Sequence, residues 1–116
     1  MYTYYAKLDR VVDGDTVDAL VDLGFDTWKH VRIRLNGLNA PESRTRDLEE
    51  KERGLAAKKY LQDTLDSNEG VFILVSHGVG KYGRCLGEIY LTPDSDSINN
   101  LLIAEGHAIK YNGGKR

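Results

Sequence analysis

Cysteine occurs once in these 116 residues, at Cys85. One thiol excludes a disulfide framework and a cysteine-based zinc site. The three histidines, His30, His77 and His107, lack the spacing of metal ligands and read as surface or packing residues. No apolar run approaches the ~18 residues that a membrane-spanning helix needs, so no membrane segment is expected. The opening MYTYYAKLDR lacks the apolar core of a secretion signal. The chain as given therefore reads as cytoplasmic, or as the trimmed form of a secreted protein. Positive charge is not in excess either: 16 Lys and Arg stand against 18 Asp and Glu, a net charge of −2. That balance disfavours a broad electrostatic footprint on a nucleic-acid duplex, although gripping a few phosphates through particular arginines needs no such excess. Internal repeats, low-complexity tracts and linkers are absent. What remains, 41% hydrophobic and 29% charged, suits one soluble globular domain over residues 1–116 with a single modest core.

The chain is punctuated as short strands around one long polar stretch. Tyr2 to Val12 alternates and reads as a first strand, with its tyrosines in core or cross-strand packing or, as the sharper reading, stacking on bases. From Thr16 a second strand places Val17, Ala19, Val21 and Leu23 on one face and Thr16, Asp18, Leu20 and Asp22 on the other. Gly24 to Thr27 is the reversal. A third strand follows with Val31, Ile33 and Leu35 inward and His30, Arg32 and Arg34 opposite. Ser43 to Arg53 is almost wholly polar: a solvated loop or ragged helix start, or else a mobile flap lending Arg44 or Arg46 to a substrate. Gly54 costs ~1 kcal/mol relative to alanine inside a helix, so the helix is expected from about Leu55, with Leu55, Ala57, Tyr60, Leu61 and Leu65 as its apolar stripe. Ser67 to Gly70 closes it. Val71 to Val75 reads as a buried fourth strand, His77 to Gly83 as a glycine-rich turn, and Arg84 to Leu91 as a fifth strand. Ser97 is a plausible N-cap for a short helix ending at Gly106. Three strands, a helix and two more strands is the order of an OB-fold, a five-stranded Greek-key barrel, here mainly β with α and a short C-terminal helix.

Chemistry-bearing residues concentrate between Val11 and Glu42. Asp13-Gly14-Asp15-Thr16 is a tight turn with two carboxylates, which either satisfy turn backbone or offer hard oxygen donors to a cation such as calcium. Arg34 leaves the end of the third strand, and Pro41 stops regular structure and holds Glu42 on a loop. Arg84 follows the glycine-rich turn. Guanidinium groups stay charged and offer paired donors to phosphate oxygens.

DGDT, then RLNGLNAPE, then KYGR at Lys81 to Arg84, resembles the staphylococcal nuclease family in both order and separation. Asp-Gly by itself is ordinary hairpin chemistry. Three pieces in order across almost the whole chain are a specific match. The resemblance implies an OB-type barrel that cleaves DNA and RNA with the help of Ca²⁺. It implies Asp15 as a direct metal ligand, the Ala40 carbonyl as another, and Asp13 as their neighbour. It makes Glu42 the general base, Arg34 and Arg84 the groups that stabilise developing charge, and Lys81 and Tyr82 contacts to a terminal phosphate. Tyr111 becomes a stacking face for a base. Water would displace the 5′ oxygen and leave 3′-phosphate ends, with little sequence preference.

Two positions depart from the family. Asn39 stands where the family usually has aspartate, which removes one formal charge from the ligand set, and Gly80 replaces an aspartate before Lys81. Both imply a looser cation site, weaker calcium binding or tolerance of other divalent ions. Against the family the chain as given also ends early, short of most of a C-terminal helix. The substrate expected is single-stranded or frayed DNA or RNA, and a monomer is the default. The rival reading is a catalytically silent OB module that binds single-stranded nucleic acid or a protein partner, with Asn39 as its main support.

Overall fold

The computed structural model describes residues 2–79 and 84–111. Five strands close into a barrel. They are β1 (Tyr2–Asp13), β2 (Thr16–Asp22), β3 (Trp28–Leu35), β5 (Val71–Val79) and β6 (Cys85–Tyr90), in the order β1-β2-β3-β6-β5. All neighbours run antiparallel except β3 and β6, which pair in parallel from Ile33↔Cys85 to Leu35↔Gly87. This is the expected OB-type barrel. A further pair, β4 (Leu38–Asn39) and β7 (Ile109–Lys110), ties the chain beyond β3 to the segment after the second helix.

Strand β1 can serve two partners because it is long and broken. Its first half pairs with β5 from Tyr2↔Ser76 to Lys7↔Val71, while its second half follows β2 through two register shifts, between Leu8 and Arg10 and between Val11 and Asp13. Such bulges bend a strand and sharpen its twist, which closure of a small barrel requires. Alternation then fills the interior with Ala6, Val17, Ala19, Val21, Ile33, Leu35, Phe72, Leu74 and Ile89. Tyr4 packs against this core, but Tyr2 and Tyr5 are exposed, so cross-strand packing accounts for only part of the N-terminal tyrosine run. Leu23 also lies outside: β2 ends at Asp22, before the alternation runs out.

Helix α1 (Leu48–Asp66) begins seven residues earlier than propensity suggests. Asp47 caps it, accepting from the backbone N–H groups of Glu49 (3.1 Å) and Glu50 (3.2 Å), and those two acids complement the helix dipole. Gly54 sits inside the helix because the chain touches it there. A Cβ on Gly54 would lie 2.7 Å from the backbone nitrogen of Ser43 and nearer still to the carbonyl of Glu42. The buried stripe is Gly54, Ala57, Leu61 and Leu65, and Leu55 faces water. Ser43–Arg53 is therefore neither all loop nor all flap: Ser43 is buried and residues from Leu48 onward are helical.

Strand β5 also runs further than expected, to Val79, because backbone pairing of Gly78 with Leu86 and Val79 with Cys85 carries it past Val75, with a register shift at Ser76/Gly78. The second helix, α2 (Ile98–Ala104), is capped by Ser97, whose Oγ accepts from the backbone of Asn100 at 3.0 Å. The histidines have packing and surface partners: His30 with Asp9 (2.9 Å), His77 with Glu88 (2.8 Å) and His107 beside the Tyr60 ring. Among the described residues no helix is long and apolar enough to cross a membrane.

On the outer face, Asp18 is buried beneath Arg32, which donates through Nε (2.8 Å) and Nη2 (3.1 Å), and Arg10, which donates through Nε (3.2 Å). The hydrogen bond from Arg32, ahead of the opposing effect of burial, holds the Asp18 carboxyl below the ordinary carboxylate range. A depressed folded-state pKa stabilises above the unfolded value of 3.8, and the gain disappears as pH falls through the folded value. Asp18→Asn should thus cost about 1–2 kcal/mol near pH 7 and nothing once pH is well below 3.8. Urea denaturation of both proteins across pH 2–7 measures it (roughly the span of carboxylate titration). A difference that stays constant down the range would contradict the assignment.

Candidate active site

The barrel brings four separated pieces of chain to one end. The β1–β2 turn carries Asp13 and Asp15. The end of β3 carries Arg34, the stretch from the end of β4 carries Asn39 to Ser43, and Arg84 stands just before β6. They enclose a cavity of about 250 Å³ lined by Asp13, Asp15, Thr16, Arg34, Asn39, Ala40, Glu42 and Arg84. Seven of these eight residues are among the positions singled out in the sequence, and Thr16 belongs to the same turn.

Asp15 is the hub. Its carboxylate is buried, with Oδ1 accepting from the Thr16 hydroxyl (3.0 Å) and Oδ2 from the backbone N–H of Ala40 (3.0 Å). Its carbonyl accepts from the backbone of Leu35 at 2.8 Å, so the turn is fastened to β3 as well. Arg34 reaches the same carboxylate, Nη1 to Oδ2 at 3.4 Å, while its Nη2 donates to Asn39 Oδ1 at 3.1 Å. Nη1 also donates to the carbonyl of Leu35 at 3.1 Å. With its side chain only 16% exposed, Arg34 spans Asp15 and Asn39 from within the cavity rather than from the outer face.

Asp13 does a different job. Its Oδ1 accepts from both the hydroxyl and the backbone N–H of Ser43, and so anchors the residue that follows Glu42. From the other side the loop rests on α1 through Gly54. The same helix meets the carboxylate turn, where a Cβ on Gly14 would fall 2.6 Å from the Ala57 Cβ and 3.2 Å from that of Ala40. Glu42 itself is exposed, and its carboxylate makes no hydrogen bond or ion pair among the described residues. Backbone held through Ser43 and against Gly54 thus presents an unengaged carboxylate to the cavity.

Ser43, Gly14 and Gly54 were missed by residue-level reading. A glycine inside an otherwise helical pattern was the available signal, since it often marks a close approach. Asn99 was missed too. It is buried, accepts from the backbone of Ile89 (3.1 Å) and donates to the carbonyls of Asn36 (2.9 Å) and Gly87 (3.1 Å). One amide on α2 therefore fixes the turn that leads to Asn39. Tyr111 is half-buried and does not line the cavity; its backbone N–H donates to the carbonyl of Gly37 at 2.9 Å. Lys81 and Tyr82 lie outside the described residues.

The donors that converge are oxygens: one carboxylate at Asp15 and the amide oxygen of Asn39, with Ala40 adjoining. Hard oxygen sets of this kind fit Ca²⁺ or Mg²⁺ rather than softer ions. Among the described residues there is no group of three or more His, Cys, Asp or Glu side chains placed to hold an ion. Arg34 already neutralises Asp15, so the local formal charge that would attract a cation is small.

The sequence profile described as Staphylococcal nuclease homologue matches residues 32–116. A protein of Escherichia coli named an uncharacterized endonuclease is 30% identical over 110 residues, covering 92% of this chain and 61% of that protein. Endonuclease YhcR of Bacillus subtilis (strain 168) is 31% identical over 114 residues, 93% of this chain but 9% of that protein. The micrococcal nuclease of Shigella flexneri is 29% identical over 115 residues, 93% of this chain and 59% of that protein. The chain thus spans about three-fifths of the first of these relatives and a small part of the second. With the profile covering most of the sequence, and the barrel gathering its residues at one end, the chain belongs to the staphylococcal nuclease family.

Proposed function

We propose that the chain is a divalent-cation-dependent nuclease that hydrolyses phosphodiester bonds of DNA and RNA with little sequence specificity. The observation that carries this reading is the single cavity shared by Glu42, Arg34 and Arg84 with Asp15 and Asn39. A phosphodiester anion resists nucleophiles, so its hydrolysis needs an oriented water, charge stabilisation and a proton acceptor. Glu42 accepts the proton of the attacking water. The water oxygen bonds to phosphorus as the bond to the 5′ oxygen breaks, leaving a 3′-phosphate and a 5′ hydroxyl whose oxygen takes its proton from solvent water. Arg34 and Arg84 pair with the phosphate oxygens as charge builds on them. Arg34 must exchange its bonds to Asp15 and Asn39 for the phosphate, a swap within one guanidinium reach. Asp15, Asn39 and the Ala40 carbonyl would hold Ca²⁺, which supplies Lewis-acid neutralisation of the phosphate. Lys81 and Tyr82 contact a terminal phosphate, and Tyr111 offers a base a stacking face. Asp13 positions the Glu42 loop through Ser43. A cavity of this size on a barrel end admits a splayed strand better than a stacked duplex, so single strands are preferred, and the unit acts as a monomer.

The test is cleavage of heat-denatured DNA with millimolar calcium against a chelator. Cleavage confined to calcium, magnesium or manganese supports the reading. No cleavage by a folded protein with any of the three would leave a nucleic-acid- or protein-binding module. Asn39→Asp belongs in the same experiment. Asp15 and Arg34 cancel at present, and a second carboxylate leaves one net negative charge for the cation. Coulomb attraction between one carboxylate and a doubly charged cation at ~4 Å is about 2–8 kcal/mol between the water and surface limits, so calcium affinity should rise roughly tenfold or more. Half-saturating calcium for cleavage, and calorimetric titration, both report it. An unchanged affinity would mean residue 39 is no ligand.

A further inference from the structure

A second cavity, of about 330 Å³, shares Asn39, Ala40 and Glu42 with the first and is lined by Pro41 as well. Its volume falls within the ~300–1,000 Å³ typical of small-molecule sites. The two cavities differ in chemistry. The first is walled by carboxylates, an amide and two guanidinium groups, which suits a phosphate. The second is walled by Pro41, Ala108 and Ile109, with Glu50, Arg53 and His107 at its polar edge. Ile109 is held there by β7 pairing with β4, Ala108 by its burial in the core, and His107 by its ring contact with Tyr60, 4.8 Å between centroids. Arg53 is exposed, and neither it nor the carboxylates of Glu42 and Glu50 makes a side-chain hydrogen bond or ion pair among the described residues. Polar groups without partners beside apolar walls are the pattern of a site that orients a ligand of mixed polarity.

Resting on the nuclease reading above, we infer that this second cavity is a nucleoside subsite that receives the base and sugar next to the scissile phosphate. Two carboxylates against one arginine exclude a phosphate as its main occupant. Apolar walls favour a base, and a carboxylate acceptor favours bases that carry an exocyclic amino group. Glu50 accepts from that amino group, and Arg53 pairs with the next phosphate along the strand. Since cavity and catalytic carboxylate share one loop, occupancy fixes the strand relative to Glu42.

The test is fluorescence anisotropy with fluorescein-labelled tetranucleotides in chelator, so that binding is read without cleavage. One tetramer carries adenine; the other carries purine, which stacks alike but lacks the amino group. The wild type should bind the adenine tetramer about threefold to tenfold tighter. Glu50→Ala should erase that preference and lower the melting temperature by only a few degrees through its place in the first turn of α1, and Arg53→Ala should weaken both tetramers about fivefold. Equal affinity of the wild type for the two tetramers, unchanged binding by both variants, or no measurable binding at all overturns the subsite. Cleavage in calcium is scored separately. A wild type that never cleaves but keeps the adenine preference and its loss in Glu50→Ala removes the nuclease reading and retains the nucleoside site.

Discussion

Glu42→Gln is expected to lower cleavage of denatured DNA by about 10²–10⁴-fold, the usual contribution of a positioned general base. The amide has nearly the same shape but cannot take the proton of the attacking water. The structure makes the substitution a clean one. Glu42 is exposed and its carboxylate makes no bond within the described residues, so nothing in the fold depends on its charge. The melting temperature should stay where it is, and short-oligonucleotide binding in chelator should change little. The fall should appear in kcat more than in KM, because the interaction is made in the transition state. Wild-type turnover in Glu42→Gln at saturating calcium would remove this carboxylate from the chemistry. The water would then have to be deprotonated elsewhere, and Asp15 and Asp13 are both already engaged as acceptors.

Gly54→Ala is expected to destabilise the protein and impair cleavage together, against the direction that helix propensity predicts. In an isolated helix the change gains ~1 kcal/mol. Here the new Cβ would meet backbone, the Glu42 carbonyl and the Ser43 nitrogen at 2.7 Å, neither of which can rotate away as a side chain can. Overpacking costs about 1–3 kcal/mol, and more where the obstacle is main chain. The net loss should be about 1–2 kcal/mol, a drop of roughly 5–15 °C in Tm for a domain near 100 residues. The same push moves Glu42, and displacement of a catalytic group by ~1 Å can cost 10²-fold. Thermal melts and kcat on one preparation measure both. A variant that melts higher and cleaves normally would show that α1 does not touch the loop as described. Gly14→Ala, which would meet the Ala57 Cβ at 2.6 Å and the Ala57 backbone carbon at 3.2 Å, should destabilise likewise, since an alanine methyl cannot move without its backbone.

The barrel strands were legible because each carries its own record. The alternation of Val17, Ala19 and Val21 appears in the structure as three buried residues on one face of β2, and Ile33 and Leu35 do the same in β3. The site was legible through short motifs whose members sit on turns at one barrel end: DGDT between β1 and β2, Arg34 near the end of β3, and Glu42 after Pro41. Asp15, Asn39, Ala40, Glu42, Arg34 and Arg84 all line one cavity, which local pattern could suggest but not measure. Tyr111 lies outside the lining of that cavity, with its backbone N–H bonded to the carbonyl of Gly37.

Local pattern and motif determined the succession of strands and helices along the chain, the core faces of β2 and β3 and the identity of the cavity's chemical groups, because side-chain period and turn chemistry are properties of neighbours in the chain. The helix start, the burial of Ser43 and the state of Arg34 were decided only in three dimensions. Gly54 lowers helix propensity where it stands, and its reason is a backbone eleven or twelve residues earlier that leaves no room for a methyl group. Asp13 and Ser43 are thirty residues apart, and Arg34 bridges Asp15 and Asn39 only because β2 and β3 pair in register from Thr16↔Arg34. Contacts of that separation depend on closure of the whole barrel, and no window of sequence contains both partners.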